Sequence, residues 1–316
     1  MTFATFSRRT IRIRPGALLL AGIVAAGCNS DDRLSPEPAT ESGPDFATGA
    51  TAPGIVFGSW DLPYTMLGTL HTGAYRSPYP SSFLASLSTA KSKAARLIVN
   101  LAGNDANVKN ADGTFNLTKW KASVYRYKSL SFGSYITDGT IMAHHLIDEP
   151  YLASRWGGKV VSQATVEAMA KYSKQLWPGM TTVVRAVPTW LDDVPLTYTD
   201  LDAGWAVYWS NQGSVSTWAP KQVAAARLKG LGLIMSLNVI NGGNGTSGIK
   251  GTRSDKWSMS ASELRTYGTT LLNQSYACGF LMWNYREAYY ARSDIKSAMT
   301  DLSTKARNHV KTSCRQ

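Results

Sequence analysis

Cysteine and histidine are scarce in this chain, with three cysteines and four histidines among 316 residues. His71, His144, His145 and His309 show no ligand spacing with the cysteines. Adjacent residues on a strand point to opposite faces, so His144 and His145 do not form half of a metal site. No resident metal or other cofactor is expected. A glycine-rich phosphate loop is also missing. The first apolar run leads into Gly58-Ser59-Trp60-Asp61-Leu62-Pro63, which has the wrong residues for a dinucleotide-binding turn. Acidic residues are few, 21 against 33 basic, for a formal charge of +12. The basic residues are scattered without a dense run or a recognition motif, which argues against nucleic acid as a partner. Beyond residues 16–27 the chain has no apolar stretch that could be read as a membrane span, and that stretch is itself short for one.

What is present begins with a leader. Arg8, Arg9, Arg12 and Arg14 precede the apolar stretch, which ends Val24-Ala25-Ala26-Gly27-Cys28. This end resembles a bacterial lipobox, in which the cysteine is lipidated and becomes the new N-terminus. Residues 1–27 are then a lipoprotein signal peptide, and an ordinary signal peptide with a chance cysteine is the alternative. Asn29, rather than Asp, follows Cys28, so the expected location is the cell envelope, anchored to the outer membrane. Residues 28–53 are rich in Ser, Asp, Pro, Glu, Gly and Thr and read as a flexible tether. Removing the leader's four arginines leaves 29 basic and 21 acidic residues, a charge of +8. With Cys28 lipidated, Cys278 and Cys314 remain in an oxidising compartment, and a disulfide is the economical expectation. A monomer is expected.

From residue 54 to 316 the chain alternates. Apolar runs of strand length cover 55–60, 96–101, 141–147, 182–187, 204–209, 231–239 and 279–285. Helical spacing covers 82–94, 117–128, 163–176, 219–229, 261–274 and 294–310. Ser162 and Ser293-Asp294 stand at helix starts, and Ser260-Ala261-Ser262-Glu263 has capping-box spacing. Strands alternating with helices predict a parallel sheet covered by helices. About 260 residues in one such array fit a single (β/α)8 barrel, and an open parallel α/β sheet is the alternative. Only seven strands are visible. An eighth would lie between Trp60 and Arg96, or between Lys128 and Ile141.

In a parallel barrel the chemistry sits at the C-terminal ends of the strands. Those ends carry Trp60 and Asp61, then Asn100, Asn104 and Asp105, then Asp148 and Glu149, then Arg185. Further along they carry Tyr208 and Trp209, Asn238 and Asn241, and Trp283, Asn284, Tyr285, Arg286 and Glu287. Aromatic faces stack on the C–H faces of sugars, while carboxamides, guanidiniums and carboxylates bond hydroxyls. Such a rim suits a carbohydrate. The run Ile141-Met142-Ala143-His144-His145-Leu146-Ile147-Asp148-Glu149-Pro150 is the most informative. An apolar strand is stopped by proline just after two acids, which delivers a carboxylate to the rim. Glu149 is therefore the first candidate for a catalytic acid, with Asp61 or Glu287 as its partner. Trp60, Asn100, Asp148, Arg185, Trp209, Asn238, Trp283 and Tyr285 are candidate substrate-binding residues.

The strand ending Leu-Ile-Asp-Glu-Pro and the last strand, Phe280-Leu281-Met282-Trp283-Asn284-Tyr285, resemble the (β/α)8 glycoside hydrolases of the retaining superfamily. The resemblance covers about residues 54–310. It implies an acid/base role for Glu149 at the end of a fourth strand and a sugar-subsite floor at Trp283. Those families place a nucleophilic glutamate at the end of the seventh strand, and residues 233–241 contain no acid. An envelope glycoside hydrolase-like protein is the leading expectation, and a non-catalytic glycan-binding lipoprotein is the alternative. Each candidate also has a plainer role. Asp148 would point away from Glu149 if the strand continued, Glu149 could pair with Arg155, and Glu287 could pair with Arg286. The Gly/Asn-rich stretch from 242 to about 258 is either a substrate-facing lid or a disordered insertion.

Overall fold

A computed structural model describes residues 52–311 and 313–316. The leader, Cys28 and nearly all of the tether lie outside the described residues. Eight parallel strands close into one barrel in sequence order. They are β1 (Val56–Trp60), β2 (Gly73–Arg76), β3 (Arg96–Val99), β4 (Ile141–Asp148), β5 (Thr182–Arg185), β6 (Ala203–Tyr208), β7 (Gly232–Asn238) and β8 (Ala277–Trp283). β8 pairs with β1, with Val56 opposite Gly279 and Ser59 opposite Met282, so the barrel has no free edge. The open-sheet alternative is thereby set aside.

The strand missing from the sequence pattern is β2, between Trp60 and Arg96. It is four residues long, Gly73-Ala74-Tyr75-Arg76, and has no β-branched residue. Its neighbours hold it, with Gly58 opposite Gly73 and Gly73 opposite Arg96. The strands approach closely there. A Cβ built on Gly58 would stand 1.7 Å from the Gly73 carbonyl oxygen, so glycine is required.

The helices between strands are α1 (Pro80–Ser92), α2 (Leu117–Tyr125), α3 (Gly133–Thr137), α4 (Gln163–Leu176), α5 (Pro188–Leu191), α6 (Val215–Leu228) and α7 (Ala261–Leu272). After β8 come α8 (Glu287–Tyr290) and α9 (Ser293–Arg307). The β1–β2 connection has only a three-residue turn of 3-10 helix, and β5–β6 has only the four-residue α5. Ser162 caps α4 by accepting from the Thr165 N–H. Ser260 and Glu263 form the expected capping box on α7, with bonds of 3.2 and 2.8 Å. At α9 the expectation fails. Arg292 is the N-cap residue, without a side-chain cap bond, and Asp294 pairs with Arg292 instead.

Strand alternation sorts the side chains into two cores. Val56 and Trp60 of β1 fall in the inner cluster with Tyr75, Ile98, Ala143, Val183, Trp205, Ile234 and Leu281. Ile55 and Phe57 fall in the larger cluster beneath the helices. His144 and His145 obey the same rule. His144 faces the helices and bonds Ser173 at 2.8 Å, while His145 lies among Trp60, Tyr75 and Trp205. Cys278 and Cys314 form the expected disulfide with Cα atoms 5.1 Å apart. It ties the start of β8 to the C-terminal tail, whose Cys314 carbonyl packs against Gly232 at the start of β7. Closing a loop of 36 residues contributes about 4 kcal/mol in the chain-entropy model.

Candidate functional site

With β2 counted, Asp148 and Glu149 end the fourth strand. Asp148 is the last residue of β4, and Glu149 turns the chain out of the sheet at φ 47°. That left-handed backbone breaks the strand alternation. Asp148 and Glu149 therefore do not diverge as a continued strand would require, and both reach the same two guanidiniums. Arg185, at the end of β5, bonds Asp148 through Nε and lies 3.1 Å from Glu149 Oε1 through Nη2. Arg155, in the turn after β4, bonds Asp148 and lies 3.1 Å from Glu149 Oε2. Its Nε also bonds Asp105, beyond β3, at 2.6 Å. Both Glu149 oxygens thus have a guanidinium partner.

Charge is buried here. Burial works to raise the Asp148 carboxyl, but Arg185 and Arg155 outweigh it and hold it below the ordinary carboxylate range. Burial works to lower the Arg185 guanidinium, but Asp148 and Glu149 hold it above its ordinary value. Below this layer His145 is pushed down to about 3 by burial, so it is neutral at physiological pH. Among the described residues neither of its ring nitrogens has a hydrogen-bond partner, nor do the indole N–H groups of Trp60 and Trp205.

A cavity of about 550 Å³ opens beside this network, on the β1–β4 side of the rim. Trp60, Asp61, Tyr75, Asp105, Asp148 and Arg155 form part of its wall. Trp60 stacks on Tyr75 with centroids 3.8 Å apart, and the Arg185 guanidinium lies over the Trp60 ring at 5.5 Å. Of the expected site residues, Trp60, Asp61, Asn100 and Asp148 line this cavity, whereas Glu149 and Trp283 do not. Asn100 is largely committed to its own loop. Its Oδ1 accepts from the Ala102 and Gly103 N–H groups, and its Nδ2 donates to Tyr75 Oη and the Gly103 carbonyl.

The other candidates lie elsewhere on the rim. Trp283 and Trp209 are half-buried against the inner cluster. Asn238, at the end of β7, accepts from the Asn241 N–H at 2.8 Å and so shapes the turn that follows. Glu287 accepts the Tyr285 hydroxyl rather than pairing with Arg286. Residues 242–258 form a folded loop rather than a disordered insertion. Gly243 N–H bonds the Trp257 carbonyl, Asn244 N–H bonds Glu263, and Asn241 accepts from Thr252. The sequence pattern missed Tyr75, because its strand carries no apolar run. Arg155 could be found only as a basic residue following an acidic strand end.

No protein-family model and no curated protein matches the chain. Solved structures do match, and their likeness is one of fold. A beta-glucanase from Saccharophagus degradans superposes with a TM-score of 0.55 at 9% identity, covering 81% of this chain and 88% of that one. A Glycoside Hydrolase Family 5 mannosidase from Rhizomucor miehei gives 0.52 at 10% identity, covering 83% and 97%. A GH2 beta-galacturonidase from Eisenbergiella tayi, bound to galacturonate, gives 0.53 at 10% identity over 83% of this chain. The present chain spans about half of that enzyme, 52% of its length. What these structural neighbours share with the present chain is the fold.

Proposed function

We propose that the protein is a glycan-binding barrel held in the bacterial envelope through lipid on Cys28. The observation that carries the binding reading is the engagement of Glu149. Both of its oxygens meet guanidiniums, and the end of β7 offers Asn238, itself committed to a turn, where a second carboxylate would stand. Hydrolysis by two carboxyl groups requires one to give up a proton and the other to attack or to activate water. The cavity walls supply what recognition needs, with the aromatic residues Trp60 and Tyr75 beside the polar groups Asp61 and Arg155.

The test is a glycan array followed by calorimetry and reducing-sugar assays on the hits. Wild-type protein should bind a glycan without releasing sugar. Asp61→Asn removes an exposed cavity carboxylate without touching the core, and it should weaken binding about tenfold, as for loss of a charged hydrogen bond. Absence of any glycan ligand would overturn the reading. For the anchor, wild-type protein expressed in a bacterium should incorporate labelled palmitate and fractionate with membranes. Cys28→Ser should do neither, and unchanged fractionation would refute the anchor.

A second reading, hydrolysis with Glu149 as acid/base and Asp61 or Glu287 as partner, has one specific observation in its favour. Asp61 and Glu149 both hold positive φ, 54° and 47°, among only three such non-glycine positions in the described residues. Sparsely populated backbone of this kind costs about 1–3 kcal/mol and collects at active sites. If the bound glycan is cleaved, and Glu149→Gln lowers turnover by about 10²–10⁴, this reading replaces the first.

A further inference from the structure

A second cavity, of about 260 Å³, lies between the loop after β7 and the segment after β8. Its wall includes Lys250, Thr252, Arg286, Tyr289 and Arg292 and, among the described residues, no acidic one. Arg292 is neutralised by Asp294, with bonds of 3.1 and 2.9 Å. Among the described residues Lys250 and Arg286 have no such partner. The Lys250 ammonium sits 3.6 Å from the Trp257 ring centroid and bonds only the Ser254 carbonyl, and the Arg286 guanidinium has no hydrogen bond or ion pair among the described residues. Both residues line the cavity, and among the described residues neither has an acidic partner. A third feature is independent of charge. Tyr289 is 4% exposed, and its hydroxyl is buried without a partner. A buried donor left unmade is costly, so an unpartnered hydroxyl on a residue that lines a cavity marks a place where an acceptor belongs.

We propose that this cavity is an oxyanion site that takes the carboxylate or sulfate of an acidic glycan residue. Arg286 and Lys250 supply the charge, and the Tyr289 hydroxyl supplies a neutral donor, whereas the Thr252 hydroxyl is already bonded to Asn241. A planar guanidinium with free N–H groups matches carboxylate and sulfate oxygens in paired hydrogen bonds. The cavity is built from segments that follow β7 and β8, so it opens on the same end of the barrel as the aromatic cavity. A chain bound in the first cavity can then be read for charge in the second. The glycan assignment rests on the binding function proposed above, whereas the oxyanion site rests on its own residues.

The experiment measures binding of four probes by calorimetry at two salt concentrations: oligogalacturonate, its neutral methyl ester, a sulfated galactan oligosaccharide and free sulfate. Proteins compared are wild type, Arg286→Ala, Lys250→Ala/Arg286→Ala and Tyr289→Phe, each checked for folding by circular dichroism. At least one acidic oligosaccharide should bind wild type about tenfold or more tightly than the methyl ester, with the advantage falling as salt rises. Lys250→Ala/Arg286→Ala should abolish that advantage while leaving neutral binding unchanged. Tyr289→Phe, which keeps the ring, should weaken acidic binding alone. Equal binding of acidic and neutral forms, or an acidic preference that survives in the double variant, overturns the proposal. Sulfate binding that depends on Arg286 with no oligosaccharide binding refutes both the glycan assignment and the binding function, and it identifies a site for small anions only. Neutral binding without acidic preference refutes the oxyanion site and leaves the binding function standing.

Discussion

The two sides of the barrel rim handle charge in opposite ways. Around the ends of β3, β4 and β5, three carboxylates (Asp105, Asp148 and Glu149) meet two guanidiniums (Arg155 and Arg185) in one partly buried network. After β7 and β8 the loop is held by hydrogen bonds through Asn241 and Ser260 and by the Glu263 carboxylate, its ion pairs at Asp255 are exposed, and the cations Lys250 and Arg286 line a cavity without an acidic partner among the described residues. A buried ion network is costly to break, because a lost partner leaves a charge without water. Exposed cations cost almost nothing to remove, and they are free to meet a ligand. Density of ion pairs and availability for binding are therefore inverse properties on this rim.

The sharpest way to break the comparison is Arg185→Ala. Asp148 would lose its main partner while remaining buried, and the variant should be destabilised by about 3–5 kcal/mol, read as a lowered urea midpoint. A loss under about 1 kcal/mol would mean that solvent or Arg155 compensates the network fully. The next effect is acid sensitivity on the β4 side. Burial pushes His144 and His145 down to about 3, whereas the unfolded chain protonates them near their ordinary value of 6.5. Between those values the unfolded state binds more protons, so stability is intact above about pH 6.5 and falls as pH drops toward 3. At pH 5 the loss should be about 2 kcal/mol per imidazole. Replacing His145 with Gln should flatten part of that slope in urea titrations run from pH 7 to 5, and an unchanged slope would show that the ring titrates normally.

On the β7–β8 side the expected effects are smaller. Ser260→Ala removes the cap of α7 and one side of the capping box, and should cost about 1 kcal/mol by thermal or urea unfolding. A loss near that of Arg185→Ala would mean that the loop depends on this one cap. Arg286→Ala should change stability by less than about 0.5 kcal/mol, as for an exposed residue without partners. A larger loss would expose a structural role for the guanidinium and weaken its assignment to a ligand.

Much of the architecture could be read directly. The apolar runs at 55–60, 141–147 and 231–239 became β1, β4 and β7 with shifts of one residue or so, because strands buried on both faces must be apolar along their length. Two-residue periodicity placed His144 and His145 on opposite faces correctly. The same rule failed one step later, at Asp148 and Glu149, because it holds only while the backbone stays extended. A positive φ at Glu149 is not written in any local pattern, since a non-glycine residue adopts it only when its surroundings compensate the strain. β2 was invisible for a related reason. Gly73-Ala74-Tyr75-Arg76 has little strand preference of its own, and its pairing is supplied by β1 and β3 from either side.

Local pattern and residue type account for the alternation of strands and helices, the caps at Ser162 and Ser260, the cystine of Cys278 and Cys314, and an acidic, aromatic rim. Each follows from local periodicity or from residue chemistry that does not depend on distant neighbours. Contacts between distant segments decide that Asp148 and Glu149 share two arginines, that the aromatic cavity lies toward β1–β4, and that Lys250 and Arg286 line another. Those outcomes depend on how segments far apart in the chain converge at the rim, where the position of each charge is set by the barrel's closure and not by its neighbours in sequence.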